Sequence, residues 1–321
     1  MKYSAINLNH YQFVRVSGSD AISFLQGQVS CNMELLSSER SLTGAICSLK
    51  GRVVADFRAV KTADGCLLQT AAGMAQPIIE TLSKYAIFSK VEISIADQSP
   101  GENSVSAIGF IDSHCAALLE STFADCPVDE NQSIQLLDMT LIKIAGTSGR
   151  FELWMHSNKA RETFLSNTDL KLDDCLVAWN AEDISAGIVH VTKNLSEEYT
   201  PQLLNYDISG IVDFTKGCYT GQEVVARMYY RGNAKKRLFL VSSSHPASEH
   251  SEITIDGASG SKNGTILGFG NSKKLEQTSY LLLAVLNTQA VEDKASFQLS
   301  DQQESVLEIQ QLPYAIPAAT D

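Results

Sequence analysis

After residue 237 the sequence changes texture, and that change limits the possible folds more than any other feature. The apolar segments 238–241, 253–255, 265–269 and 280–286 are each only a few residues long, and turn formers separate them, among them Asp256, Gly257, Gly260, Asn263 and Gly264. Segments so short do not make helices with a face to bury, but as strands joined by Asn-Gly and Asp-Gly turns they close into a small barrel or sandwich. Residues 238–321 are therefore expected to form an all-β domain. Before it, periods of two and of 3.6 residues alternate. Phe13, Val14, Arg15 and Val16 read as a strand, Ser17, Gly18, Ser19 and Asp20 as a turn, and Ala21, Ile22, Phe24 and Leu25 recur at helical spacing. Residues 51–60, 66–70 and 91–95 read as strands and 76–88 as a helix, which predicts mixed α+β structure over 1–237. Residues 99–131, rich in Ser, Asp and Ala, read as a peripheral excursion, and 313–321 as a loose tail.

Within 321 residues no apolar run approaches the roughly 20 needed to span a bilayer, so no membrane association is expected. Residues 1–11 lack the apolar segment of a signal peptide. Seven cysteines, at 31, 47, 66, 115, 126, 175 and 218, contain no C-x-x-C pair. That usage suits a reducing cytoplasm and argues against a disulfide framework and a metal or cluster ligand set. A net charge of -12 opposes broad nucleic-acid binding. Against that background residues 213–237 carry Lys216, Arg227, Arg231, Lys235, Lys236 and Arg237 but only two acids, Asp213 and Glu223, and residues 50–61 form a smaller basic segment. Both suggest a local site for an anionic ligand.

The most reactive pattern lies inside the first basic strip. Residues 216–223 read Lys-Gly-Cys-Tyr-Thr-Gly-Gln-Glu, a thiol between two glycines and beside a cation. Glycine permits close approach, and a neighbouring ammonium favours thiolate at Cys218. Thr220 and Glu223 have capping-box spacing, which predicts a helix starting just after Cys218. A protease-like reading needs a histidine base, and none of the six histidines, including His190, carries a partner motif for the thiol.

The octapeptide, followed by Val225, Ala226, Arg227 and by Arg231, Gly232, closely resembles the signature of the YgfZ family of folate-binding proteins, relatives of the glycine-cleavage T-protein. Further pieces resemble that family in the expected order: 24–30, Leu49 to Arg52 with Phe57 and Arg58, Trp179 with Ala186 to Ile188, then Thr200, Pro201, Gln202 and Asn205. The resemblance implies an α+β fold with a T-protein-like folate-binding region over 1–237, built of two intertwined ferredoxin-like subdomains, and a β-barrel over 238–321 around a central channel that holds tetrahydrofolate. It implies that Tyr11 and Trp179 offer aromatic faces to the pterin, that Gln202 and Glu182 contact its polar edge, and that Arg227 holds an anion. T-proteins that transfer aminomethyl groups have two adjacent aspartates where this chain has Ala55 and Asp56. One acid is missing, which leaves enzymatic activity open.

The resemblance thus implies a cytoplasmic tetrahydrofolate-binding factor that supports iron–sulfur cluster assembly or repair, serves client enzymes such as tRNA-thiolating proteins under oxidative stress, and affects replication initiation only indirectly. Cys218 would be its functional thiol, tuned by Lys216. The alternative is a folate-dependent one-carbon transferase of aminomethyl type, acting on an unknown amine with Asp56 as acid or base. Direct RNA binding through the basic strip is not expected of so acidic a chain.

Overall fold

Strand β2 shows why the first half folds as it does. Tyr11–Ser17 is buried on both faces: Val14 and Val16 point into an apolar cluster with Phe24, Leu25, Ile78 and Leu82, while Phe13, on the opposite face, meets the ring of Trp154 edge-on at 5.1 Å. A strand covered on both faces needs a packed layer on each side of its sheet. The computed structural model, which describes residues 3–96, 104–111, 115–146, 149–231, 234–255, 262–272 and 279–317, shows that arrangement.

In chain order the elements are β1 (Tyr3–Asn7), β2, α1 (Ala21–Gln26), β3 (Leu42–Cys47), β4 (Val53–Thr62), β5 (Gly65–Ala71), α2 (Ala75–Ser83), β6 (Glu92–Ala96), β7 (Ser106–Phe110), α3 (Ala116–Phe123), β8 (Ser133–Leu136), β9 (Met139–Ile144), β10 (Arg150–Met155), α4 (Asn158–Ser166) and β11 (Leu170–Asp173). There follow α5 (Val177–Ser185), α6 (Gln222–Arg231), β12 (Lys236–Ser243), β13 (Glu252–Ile255), β14 (Gly264–Ser272), β15 (Ser279–Asn287), α7 (Thr288–Glu292), β16 (Phe297–Leu299) and β17 (Gln302–Gln310).

Two sheets form the first half. One has the order β3-β4-β5-β2-β6, the other β11-β1-β7-β10-β9-β8. Neighbours β1 and β2 lie in different sheets, so the two subdomains are intertwined from the first strand on. Between the sheets the buried carboxylate of Glu152 accepts bonds from Gln69 Nε2 (2.9 Å) and Trp154 Nε1 (2.7 Å). Helix α2 presents Ala75, Ile78 and Leu82, one apolar stripe at helical spacing, to the first sheet.

The carboxy-terminal strands close into a barrel of order β12-β15-β14-β13-β16-β17. Its interior is lined by Phe239, Val241, Ile253, Ile266, Leu282, Leu286 and Phe297, the alternate residues of short strands. The expected turn at Asn263 and Gly264 opens β14, whereas Asp256, Gly257 and Gly260 lie outside the described residues.

Two expectations are corrected. The stretch read as peripheral contains β7, which lies between β1 and β10, and α3, which buries Leu118, Leu119 and Phe123; residues 99–103 and 112–114 lie outside the described residues. Four consecutive residues of β7 are buried, so both of its faces are covered and it has no polar alternation to read. The tail is docked through residue 317: Leu312 is buried and the Tyr314 hydroxyl donates to Gly187 O at 3.2 Å.

By spatial contact the chain forms two units, Met1–Leu176 with His190–Glu198 and Gly210–Gln222, and Val177–Val189 with Tyr199–Ser209 and Glu223–Asp321. Among the described residues no helix is long and apolar enough to cross a membrane, and no group of three or more His, Cys, Asp or Glu is placed to hold a metal ion.

Candidate functional site

The octapeptide loop belongs to the first unit, and its backbone is held at several points. Lys216 Nζ donates to Gln26 O and to Val29 O, each at 2.6 Å, covering carbonyls at and beyond the end of α1. The same ammonium sits 5.1 Å from the centroid of the Tyr219 ring. Burial pushes its pKa below the ordinary lysine value, against attraction from Cys31, Asp213 and Glu34. Thr220 N donates to Gly27 O at 3.2 Å and Thr220 Oγ1 to Gln28 Oε1 at 2.8 Å. Gly221 has φ +84, and a Cβ there would lie 2.4 Å from Ser48 O, so only glycine fits. Around Gly217, by contrast, no atom comes within 4 Å of where a Cβ would lie. Cys218 is exposed on this anchored loop.

The geometry corrects two expectations about the motif. Lys216 directs its ammonium at backbone carbonyls near α1, so it anchors the loop rather than serving as a counter-ion for Cys218. The expected capping pair does not form: the Thr220 hydroxyl turns to Gln28, and the side chain of Gln222, the first residue of α6, accepts from Tyr219 N at 3.2 Å. Helix α6 starts at Gln222, with Cys218 a short turn ahead of it. Burial pushes Cys31, Cys47 and Cys66 up to about 12, whereas Cys175 is exposed like Cys218.

Asp56, on β4 in the same unit, is not an isolated acid. Its Oδ2 lies 2.7 Å from His190 Nδ1 and its Oδ1 accepts from Val191 N at 2.6 Å. His190 Nε2 in turn lies 3.2 Å from the Tyr11 hydroxyl, and the two rings meet edge to face at 5.4 Å. Residues following His190 run along β4, with Ser196 Oγ donating to Val54 O at 2.7 Å and Glu197 N to Val53 O at 2.7 Å. Sequence reasoning gave His190 no role, and no local signal pairs it with a carboxylate 134 positions away.

Trp179, Glu182, Gln202 and Arg227 belong to the second unit. Helix α5 rests on β14, where a Cβ on Gly270 would lie 2.9 Å from Ala181 Cα, and Trp179 on the same helix is 0% exposed. Gln202 is 2% exposed; its Nε2 donates to Val225 O at 3.0 Å, while its Oε1 is buried with no hydrogen-bond partner among the described residues. Glu182 is half-buried, and Arg227 is exposed on α6. The basic strip is not one cationic surface, because Arg237 is buried and forms a two-pronged pair with Asp207 at 2.7 and 2.9 Å.

A pair of interleaved α+β sheets followed by a closed barrel is the architecture of the glycine-cleavage T-protein. The aminomethyltransferase T of the glycine cleavage system from Bartonella henselae superposes with a TM-score of 0.78 at 14% identity, covering 100% of this chain and 89% of that one. Among curated proteins, tRNA-modifying protein YgfZ of Hamiltonella defensa is 32% identical over 244 residues, 74% of this chain and 70% of the relative. Its namesake from Colwellia psychrerythraea is 29% identical over 316 residues, 98% of this chain and 94% of the relative. The chain belongs to the YgfZ family. No family model matches it.

Proposed function

We propose that this protein is a cytoplasmic tetrahydrofolate-binding factor that supports assembly or repair of iron–sulfur clusters in client enzymes, including those that thiolate tRNA. The observation that carries the proposal is the Cys218 loop, an exposed thiol on a backbone anchored at Lys216, Thr220 and Gly221 and open at Gly217. A thiol so presented is accessible to a partner protein, and because one thiol does not hold a cluster, its contact with a client is transient. The relatives named as tRNA-modifying supply the pathway, and the aminomethyltransferase fold supports a folate ligand.

The residues present fit such a ligand in part. Gln202 Oε1, buried and unpartnered, is an acceptor for a pterin N–H, and leaving it unmet would be costly. Arg227 would take a carboxylate of the glutamate tail. Trp179, in the same unit as Gln202 and Arg227, is 0% exposed and would be a wall rather than an open stacking face, and Tyr11, in the first unit, is 2% exposed. When bound, the folate supplies a nitrogen able to carry a one-carbon unit.

The test pairs binding with function. Tetrahydrofolate affinity should fall about 5- to 30-fold in Gln202→Leu, the worth of one buried hydrogen bond. Cys218→Ala should bind like the wild type yet fail to restore thiolated tRNA in cells lacking the gene under oxidative stress. Full restoration by Cys218→Ala would remove the thiol from the function. A one-carbon transferase is the second reading, and the coupling of Asp56 to an imidazole favours it.

A further inference from the structure

The geometry points to Asp56, His190 and Tyr11 as an acid–base relay, with His190 the group that exchanges a proton with a bound ligand. All three residues lie in the first unit, so the relay is complete within one compact body. Its two contacts are unequal. The carboxylate of Asp56 meets His190 Nδ1 at 2.7 Å and is itself held by Val191 N at 2.6 Å, a short fixed contact that places the imidazole proton on Nδ1. The lone pair of Nε2 is then directed at the Tyr11 hydroxyl, 3.2 Å away, a contact long enough for another donor to replace. Burial follows the same gradient. The Asp56 side chain is 9% exposed and Tyr11 is 2% exposed, whereas the His190 side chain is 32% exposed, so a ligand meets the relay at the imidazole.

The step balances without a co-reactant. A ligand bearing a weakly acidic N–H or O–H gives its proton to the Nε2 lone pair, and the electrons of the broken bond stay on the ligand atom. The imidazolium formed is held by the Asp56 carboxylate, and the Tyr11 hydroxyl, released from Nε2, donates to the ligand anion. Reversal returns the proton. His190 is thus a catalytic residue for ligands of that class and Asp56 its positioning residue, the division of labour of any carboxylate and imidazole pair. Nearby, the His10 ring lies 3.9 Å from that of Tyr11 and borders the same end of the relay.

The relay rests on the folate reading only for the identity of its ligand, and the test separates the two. Nitrogen-15 NMR of the imidazoles in the whole protein, at alkaline pH, should show the His190 proton on Nδ1. Asp56→Asn should lose that tautomer, and Tyr11→Phe should shift the Nε2 resonance while leaving the proton on Nδ1. A wild-type proton on Nε2, or an Nε2 resonance indifferent to Tyr11→Phe, would overturn the relay, and the Tyr11→Phe arm decides it even where Asp56→Asn does not fold. In a second arm, the same nitrogen-15 spectra recorded with tetrahydrofolate bound should show His190 protonated on both ring nitrogens, a signature absent from the free protein and lost in His190→Gln. Tetrahydrofolate bound beside a His190 that keeps Nε2 unprotonated refutes the relay for this ligand. A wild-type protein that does not bind tetrahydrofolate refutes the folate reading and leaves the relay to the imidazole spectra.

Discussion

At the scale of single residues, buried titratable groups set how the protein responds to acid. His156, just after β10, bonds Thr140 Oγ1 at 3.0 Å, and burial first, then Arg15, lowers its pKa to about 4. The native state therefore stays unprotonated while the unfolded chain, with an ordinary value of 6.5, takes up a proton. The unfolded state binds more protons between those two values, so this contribution is complete above 6.5 and stability falls as pH drops towards 4. Urea unfolding at pH 7 and near pH 4.5 should show His156→Gln losing about 2 kcal/mol less than wild type over that interval. Little of this was legible beforehand. The octapeptide marked Cys218, but the carbonyls that hold Lys216 are 190 and 187 residues away, and the partner of Asp56 is 134 away. A spacing pattern reports neighbours along the chain, and these pairings depend on how sheets and loops are brought together.

At the scale of elements, the two glycines that flank the thiol have opposite duties, although in sequence they look alike. Gly221 sits at positive φ against Ser48 O, and Gly217 faces open space. Gly221→Ala should destabilise the protein by about 2–4 kcal/mol and alter the alkylation rate of Cys218, because backbone must move. Gly217→Ala should stay within about 0.5 kcal/mol of wild type, as an unobstructed surface position does. Thermal unfolding with iodoacetamide kinetics checks both. Helices with an apolar stripe, such as α2, were legible because one face is read by water. The central strand β7 was not, because no face of it is. The barrel was legible from strand length and turns alone, yet its glycine-rich β14 also serves to receive α5, a role no periodicity encodes.

At the scale of the whole molecule, the chain passes between its two units five times. The second unit takes α5, Tyr199–Ser209 and most of α6 from sequence that precedes the barrel, so a cut after residue 237 removes the strand on which α5 rests. The two tryptophans report on the units separately, Trp154 in the first and Trp179 in the second, and both are fully buried. In a Trp154→Phe background, a chain ending at residue 237 should show Trp179 emission shifted to that of a solvated indole and new protease cleavage within 177–189. Retention of the native emission would mean that the barrel is dispensable for α5.

The anchoring of Lys216 also has a meaning for synthesis. A ribosome releases Gln26 and Val29 long before it makes the lysine that binds their carbonyls, so the nascent amino-terminal sheet must leave those groups to water or to a chaperone while most of the first unit emerges. The loop bearing Cys218 is thus a late closure. The exposed sulfur of Cys218 reaches its place only once Lys216 has closed on carbonyls made about 190 residues earlier.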